Sequence, residues 1–134
     1  MNLRDYERNI NDQYGSDELL DSVRQAIRKT GKDIGQLTQE DISGFDELHV
    51  GGRASSLKLF SELTLSKGSR VLDCGSGLGG PARGLASQFD SHVTGIDLTS
   101  RFCKIASFLS QSVSMDNQTS FINGNVLHMP FGDL

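Results

Sequence analysis

The sequence has 134 residues, 36% of them hydrophobic and 22% charged, which suits one globular domain with a core of its own. The net charge of −4 gathers in residues 1–50, which hold 11 acidic and 6 basic side chains; this predicts a solvated acidic helix surface and argues against a nucleic-acid face. No apolar run approaches the roughly 18 residues of a membrane helix, Met1 opens a polar stretch unlike a signal peptide, and two cysteines without a Cys/His cluster argue against a disulfide framework or a metal site, so a reducing, cytoplasmic setting is expected.

Ser16-Asp17-Glu18 predicts a helix start: a capping hydroxyl, then acids suited to the positive helix N-terminus. Leu19, Leu20, Val23 and Ile27 share one face, and Gly31 ends it. Leu37 to Ile42 predicts a short second helix. Thr38 caps it, Asp41 stands at the capping-box position, and Leu37 staples onto Ile42. Gly44 closes it, and His49-Val50-Gly51-Gly52-Arg53 reads as a tight turn. A third helix is expected to carry Ala54, Leu57, Phe60 and Leu63 at three-residue steps.

From Lys67 the pattern alternates. Arg70 to Asp73 reads as a strand, and Pro81 opens a helix striped by Ala82, Leu85, Ala86 and Phe89. His92 to Asp97 is a second strand. Thr99 or Ser100 caps a helix carrying Phe102, Ile105, Ala106, Leu109 and Val113 on one face. Thr119 to Ile122 is a third strand, followed by a loop over 123–133. The expectation is an α/β fold: a helical cap over residues 1–66, then a Rossmann-like parallel β-α-β-α-β half-domain over 67–134 with right-handed crossovers. Three strands covered on both faces make half of a doubly wound sheet. The last strand then lies at an exposed edge, open to association with another copy.

Residues 71–83, VLDCGSGLGGPAR, hold four glycines within six positions between a strand and a helix. Such a loop lets a ligand approach the backbone at the carboxyl end of the sheet. Gly75-x-Gly77-x-x-Gly80 satisfies the dinucleotide fingerprint, which alone is a weak signal. Asp73 argues the other way. An anion at the strand end repels a pyrophosphate and suits S-adenosylmethionine (SAM), which carries a sulfonium and an ammonium and no phosphate. Asp97, 18 residues after Gly79, is placed to accept from both ribose hydroxyls of either cofactor. Leu98 offers an apolar wall for adenine, with Asn125 and Val126 at its edge and face.

Val71 to Gly80 resembles motif I of the class I SAM-dependent methyltransferases. Gly95-Ile96-Asp97-Leu98 resembles their acidic strand-2 motif, and Gly124-Asn125-Val126-Leu127 the adenine-contacting motif. Leu37 to Asp41, Phe45-Asp46 and His49 to Arg53 narrow the resemblance to the sarcosine/dimethylglycine N-methyltransferases and, more distantly, the phosphoethanolamine methyltransferases. It covers about residues 35–134. The resemblance implies SAM as cofactor and a small-molecule methyl acceptor. It implies cofactor contacts from Asp73, Gly75, Ser76, Gly77, Leu78 and Gly79, and from Asp97, Leu98, Asn125 and Val126. The segment holding His49 and Gly51 would cover the methionine end, with Tyr14 and His49 as candidates near the methyl group. Asn125 departs from the Asp that many relatives carry.

Each residue has a plainer reading. Asp97 can cap the next helix, Asn125 can be a turn residue, His49 can satisfy a turn backbone, and Tyr14 can be an apolar anchor. His92 and His128 read as solvent-facing, and Cys74 as packing. Two other functional classes stay open: an NAD-binding oxidoreductase domain, and a non-catalytic module that binds SAM or associates through its open edge.

Overall fold

The computed structural model describes residues 17–132, so the cap expected at Ser16 and the candidate Tyr14 lie outside the described residues. Helix α1 (Asp17–Lys29) buries Val23 and Ile27, one turn apart on the inward face, and leaves Arg24 and Arg28 outside. Gly31 follows it at φ 69°, the left-handed conformation that stops a helix. After a 3-10 turn at Ile34–Gln36, α2 (Gln39–Ile42) is a single turn held by its expected capping box. The Asp41 amide donates to Thr38 Oγ1 at 3.3 Å, and the Thr38 amide donates to Asp41 Oδ2 at 2.8 Å. Leu37 and Ile42 join Val23 and Ile27 in one core cluster, the staple foreseen from their spacing.

Helix α3 (Gly52–Ser61) departs from expectation. Phe60 is buried, but Ala54, Leu57 and Leu63 are exposed, and Leu63 lies beyond the helix. Steps of three residues drift around a helix by about 60° each, so those four positions do not share a face. The inward pair is Ser56 and Phe60, four apart.

Three parallel strands follow in the order β1-β2-β3: β1 (Arg70–Cys74), β2 (His92–Asp97) and β3 (Thr119–Asn123). Asp73 pairs in register with Gly95, and Asp97 with Asn123. The crossovers are α4 (Gly80–Phe89), with Pro81 in its first turn, and α5 (Ser100–Ser112). Val71, Val93 and Phe121 of the sheet pack with Ala82, Leu85 and Ala86 of α4 and with Phe60. Ile105 and Leu109 of α5 pack with Leu78 and the α1–α2 cluster.

The expectation of a sheet covered on both faces is corrected here. Two right-handed crossovers running in the same direction put both helices on one side. The opposite face carries Leu72, Thr94 and Ser120, with Leu72 38% exposed, and also Ile96, which is fully buried nearer the carboxyl end. Among the described residues β3 is an edge strand, as expected, and β1 forms the other edge.

Candidate functional site

The glycine loop leaves β1 at its carboxyl end and enters α4. Gly75, Gly77 and Gly79 adopt φ of 78°, 53° and 80°, a left-handed region that strains any residue with a Cβ. At Gly79 space is short as well. A Cβ there would run into the Phe121 ring and stand 2.9 Å from Arg83 Nη1.

The loop is tied to β2. The Gly75 amide donates to the Ile96 carbonyl at 2.8 Å, and the Gly77 amide donates to Asp97 Oδ2 at 2.9 Å. The other Asp97 oxygen accepts from the Thr99 amide at 2.8 Å, a turn two residues long ahead of α5, whose N-cap Thr99 makes no side-chain cap of its own. Asp97 thus orders the turn into α5 without capping its first-turn amides, and it also faces the cavity.

Two adjoining cavities lie across the carboxyl ends of β1 and β2. The first, about 550 Å³, is walled by Asp73, Ser76, Gly77, Asp97, Phe102 and, from the opposite side, His49. The second, about 380 Å³, is walled by Cys74, Gly75, Ile96, Leu98 and Val126. Gly75, Asp97 and Phe102 belong to both, so they form one trough: a polar, acidic end and an apolar end.

Asp73 is the electrostatic centre of the polar end. Its Oδ2 is buried without a hydrogen-bond partner. Burial first, and then the neighbouring Asp97 carboxylate, push the Asp73 carboxyl above its ordinary range, against the pull of His49. Such a group is stabilised by a cation and penalised by an anion.

His49 stands on the far wall. Its Nδ1 lies 3.2 Å from the Val50 carbonyl oxygen, and its Nε2 lies 3.1 Å from Ser56 Oγ and 3.2 Å from Glu47 Oε2. Ser56 Oγ donates to Glu47 Oε2 at 2.6 Å. The turn expected over 49–53 is present, with Gly51 at φ 89° and Ser55 packed against it.

Most of the expected residues therefore meet around one trough. Leu78 lines the first cavity, but its side chain belongs to the core. Gly51 and Gly79 shape the adjoining turns rather than the walls. Asn125 uses Oδ1 to accept from the Leu127 amide, as a turn residue does, while Val126 lines the apolar end. His92 and His128 are exposed, and Cys74 is a free, exposed thiol. No cluster able to hold a metal ion occurs among the described residues, and no helix there is long and apolar enough to cross a membrane.

Sequence reasoning missed a buried ion pair beneath the loop. Arg83 Nη2 donates to Asp46 Oδ2 at 3.0 Å, and both side chains are fully buried. Burial pulls the Arg83 guanidinium down and pushes the Asp46 carboxyl up, and each opposes that shift in the other. Removing one partner of such a pair strands a charge, at a cost of about 3–5 kcal/mol. The available signal was a lone arginine among the small residues of Gly80-Pro81-Ala82-Arg83-Gly84.

Residues 71–134 match the family model of a methyltransferase domain. The chain is 32% identical over 99 residues to the phosphoethanolamine N-methyltransferase of Plasmodium falciparum, covering 74% of this chain and 36% of that protein. It is 32% identical over 75 residues to a sterol 24-C-methyltransferase of Gibberella zeae, covering 56% of this chain and 20% of that protein. Its fold superimposes on a SAM-dependent methyltransferase of Thiobacillus denitrificans, solved with S-adenosylhomocysteine, with a TM-score of 0.55 and 30% identity over 62% of this chain and 34% of that one. The chain thus spans about a third or less of the length of these relatives. Fold, glycine loop and sequence agree on one class: the Rossmann-like fold of the class I SAM-dependent methyltransferases.

Proposed function

We propose that the trough is the SAM site of a methyltransferase that acts on a small molecule, with a small amine such as sarcosine or dimethylglycine as acceptor. The observation that carries the cofactor reading is Asp73: a buried carboxylate with an unpartnered oxygen at the mouth of the glycine loop. A pyrophosphate would meet that charge, so an NAD reading has to overcome repulsion where SAM gains attraction.

In this reading Asp73 holds the ammonium of the methionine part, and His49, on the turn made by Gly51, covers it. Asp97 keeps two backbone amides and retains about two of its four lone-pair sites for ribose hydroxyls. Leu98 and Val126 sandwich the adenine at the apolar end, and Asn125 meets its edge. When bound, SAM supplies a methyl group activated by the sulfonium. The chain's own contribution is then to orient that methyl group and exclude water around it. Tyr14 is the candidate to approach it from the cap, residues 1–66.

The amine acceptor rests on the resemblance of the 35–53 segment and on the phosphoethanolamine relative; the sterol relative is named for a carbon acceptor. Incubation with SAM and sarcosine, dimethylglycine or phosphoethanolamine, reading S-adenosylhomocysteine, tests it. Release above the acceptor-free rate with one of the amines supports the reading. Release only with an apolar carbon acceptor contradicts it. β1 and β3, the edge strands among the described residues, also support self-association, which light scattering reads; a strict monomer counts against it.

A further inference from the structure

We propose that the buried Asp46–Arg83 pair is a positioning device for the methionine end of the cofactor. It sets the distance between the 46–49 loop, which carries His49, and the glycine loop. The inference rests on the reading of the trough as a SAM site.

Arg83 is a hub. Nη2 donates to Asp46 Oδ2 and, at 2.7 Å, to the carbonyl of Leu78 inside the glycine loop. Nη1 donates to the Ala106 carbonyl and to Ser110 Oγ on α5, both at 3.2 Å. Ser110 Oγ accepts in turn from Thr119 Oγ1 of β3 at 2.8 Å. One planar side chain thus fixes the cap loop, the cofactor loop and the second crossover relative to each other, a geometry that an ammonium on a flexible stem cannot reproduce.

A second tie runs alongside. The Gly80 amide donates to the Asp46 carbonyl at 3.3 Å. A Cβ on Gly80 would stand 2.7 Å from that same oxygen, so the loops touch at backbone distance. Asp46 itself reaches the wall of the polar cavity, and its Oδ1 has no partner. Three residues on, His49 lines the same wall, held by Glu47 and Ser56. Neither Asp46 nor Arg83 lines the apolar end.

Stability alone is a weak reason for such a pair, because well-packed apolar residues of similar volume often serve a buried site as well or better. What the pair supplies is geometry, and at one end of the trough only. A change in it should therefore separate ligands that reach the polar end from ligands that do not.

The test compares S-adenosylhomocysteine with 5′-methylthioadenosine, which shares the adenosine and thioether and lacks the amino-acid tail. In calorimetric titration of the chain, Arg83→Lys and Asp46→Asn are expected to weaken S-adenosylhomocysteine by about tenfold and to leave methylthioadenosine within about twofold. Folded variants that lose both ligands equally, or neither, overturn the proposal. A wild-type chain that binds no S-adenosylhomocysteine overturns the cofactor reading instead. If neither variant folds, hydrogen exchange on the wild type decides. Amides over 46–49 and at Gly80 should gain protection with S-adenosylhomocysteine and not with methylthioadenosine; equal protection, or none, overturns the proposal.

Discussion

Asp73 and Asp97 stand near the carboxyl ends of the adjacent strands β1 and β2, and their chemistry differs because their surroundings do. Asp97 accepts from two backbone amides, whereas Asp73 keeps an oxygen without a partner. The Asp73 carboxyl is raised from 3.8 by burial and then by Asp97. An acid with a raised folded value contributes stability at low pH, and that contribution is lost as pH rises through the raised value. Ligand binding has the opposite sign, because an ammonium needs the ionised form. SAM affinity is therefore expected to fall on acidification, beginning above 3.8. Asp73→Asn is expected to bind SAM about tenfold more weakly at neutral pH and to abolish that slope. An unchanged slope in the variant, read by titration at several pH values, would contradict the assignment. Both carboxylates were legible because each follows a short apolar strand and precedes a helix signal. Arg83 and Asp46 were not: they are 37 residues apart, and pairing at that distance leaves no local pattern.

At the level of elements, local chemistry was read well where it is self-contained. The α2 capping box joins residues three apart and formed as expected. Lys32 bridges to Asp41, and their hydrogen bond, with those from Thr38, lowers the Asp41 carboxyl to about 2. That contribution is present above the ordinary value of 3.8 and is lost as pH falls through about 2. Thr38→Ala is expected to lower stability by about 1 kcal/mol in chemical denaturation. SAM affinity should stay within about twofold, since Thr38 does not line the trough. A larger loss of affinity than of stability would show that α2 does more than anchor the cap. The inward face of α3 was not legible, because Leu57, Phe60 and Leu63 are apolar without sharing one side of a helix, and only packing against α4 decides which of them turns inward.

In the whole molecule, the parallel β-α-β-α-β unit was legible from alternation alone, but the side on which its helices lie was not inferred correctly. That side follows from strand order and crossover hand together, and among the described residues Leu72 on the other face stays partly exposed. The same strand order brings Asp73, Gly75 and Asp97 to one end of the sheet, where the trough runs from a charged to an apolar wall. Everything proposed for the site depends on that trough accepting SAM. The measurement that tests it most directly is calorimetric titration of the chain with SAM, with NAD as the contrast and Asp97→Ala as the site variant. Saturable SAM binding, lost in Asp97→Ala, with no heat from NAD, is the predicted result. Binding of NAD in preference to SAM, or SAM binding indifferent to Asp97, would contradict the account.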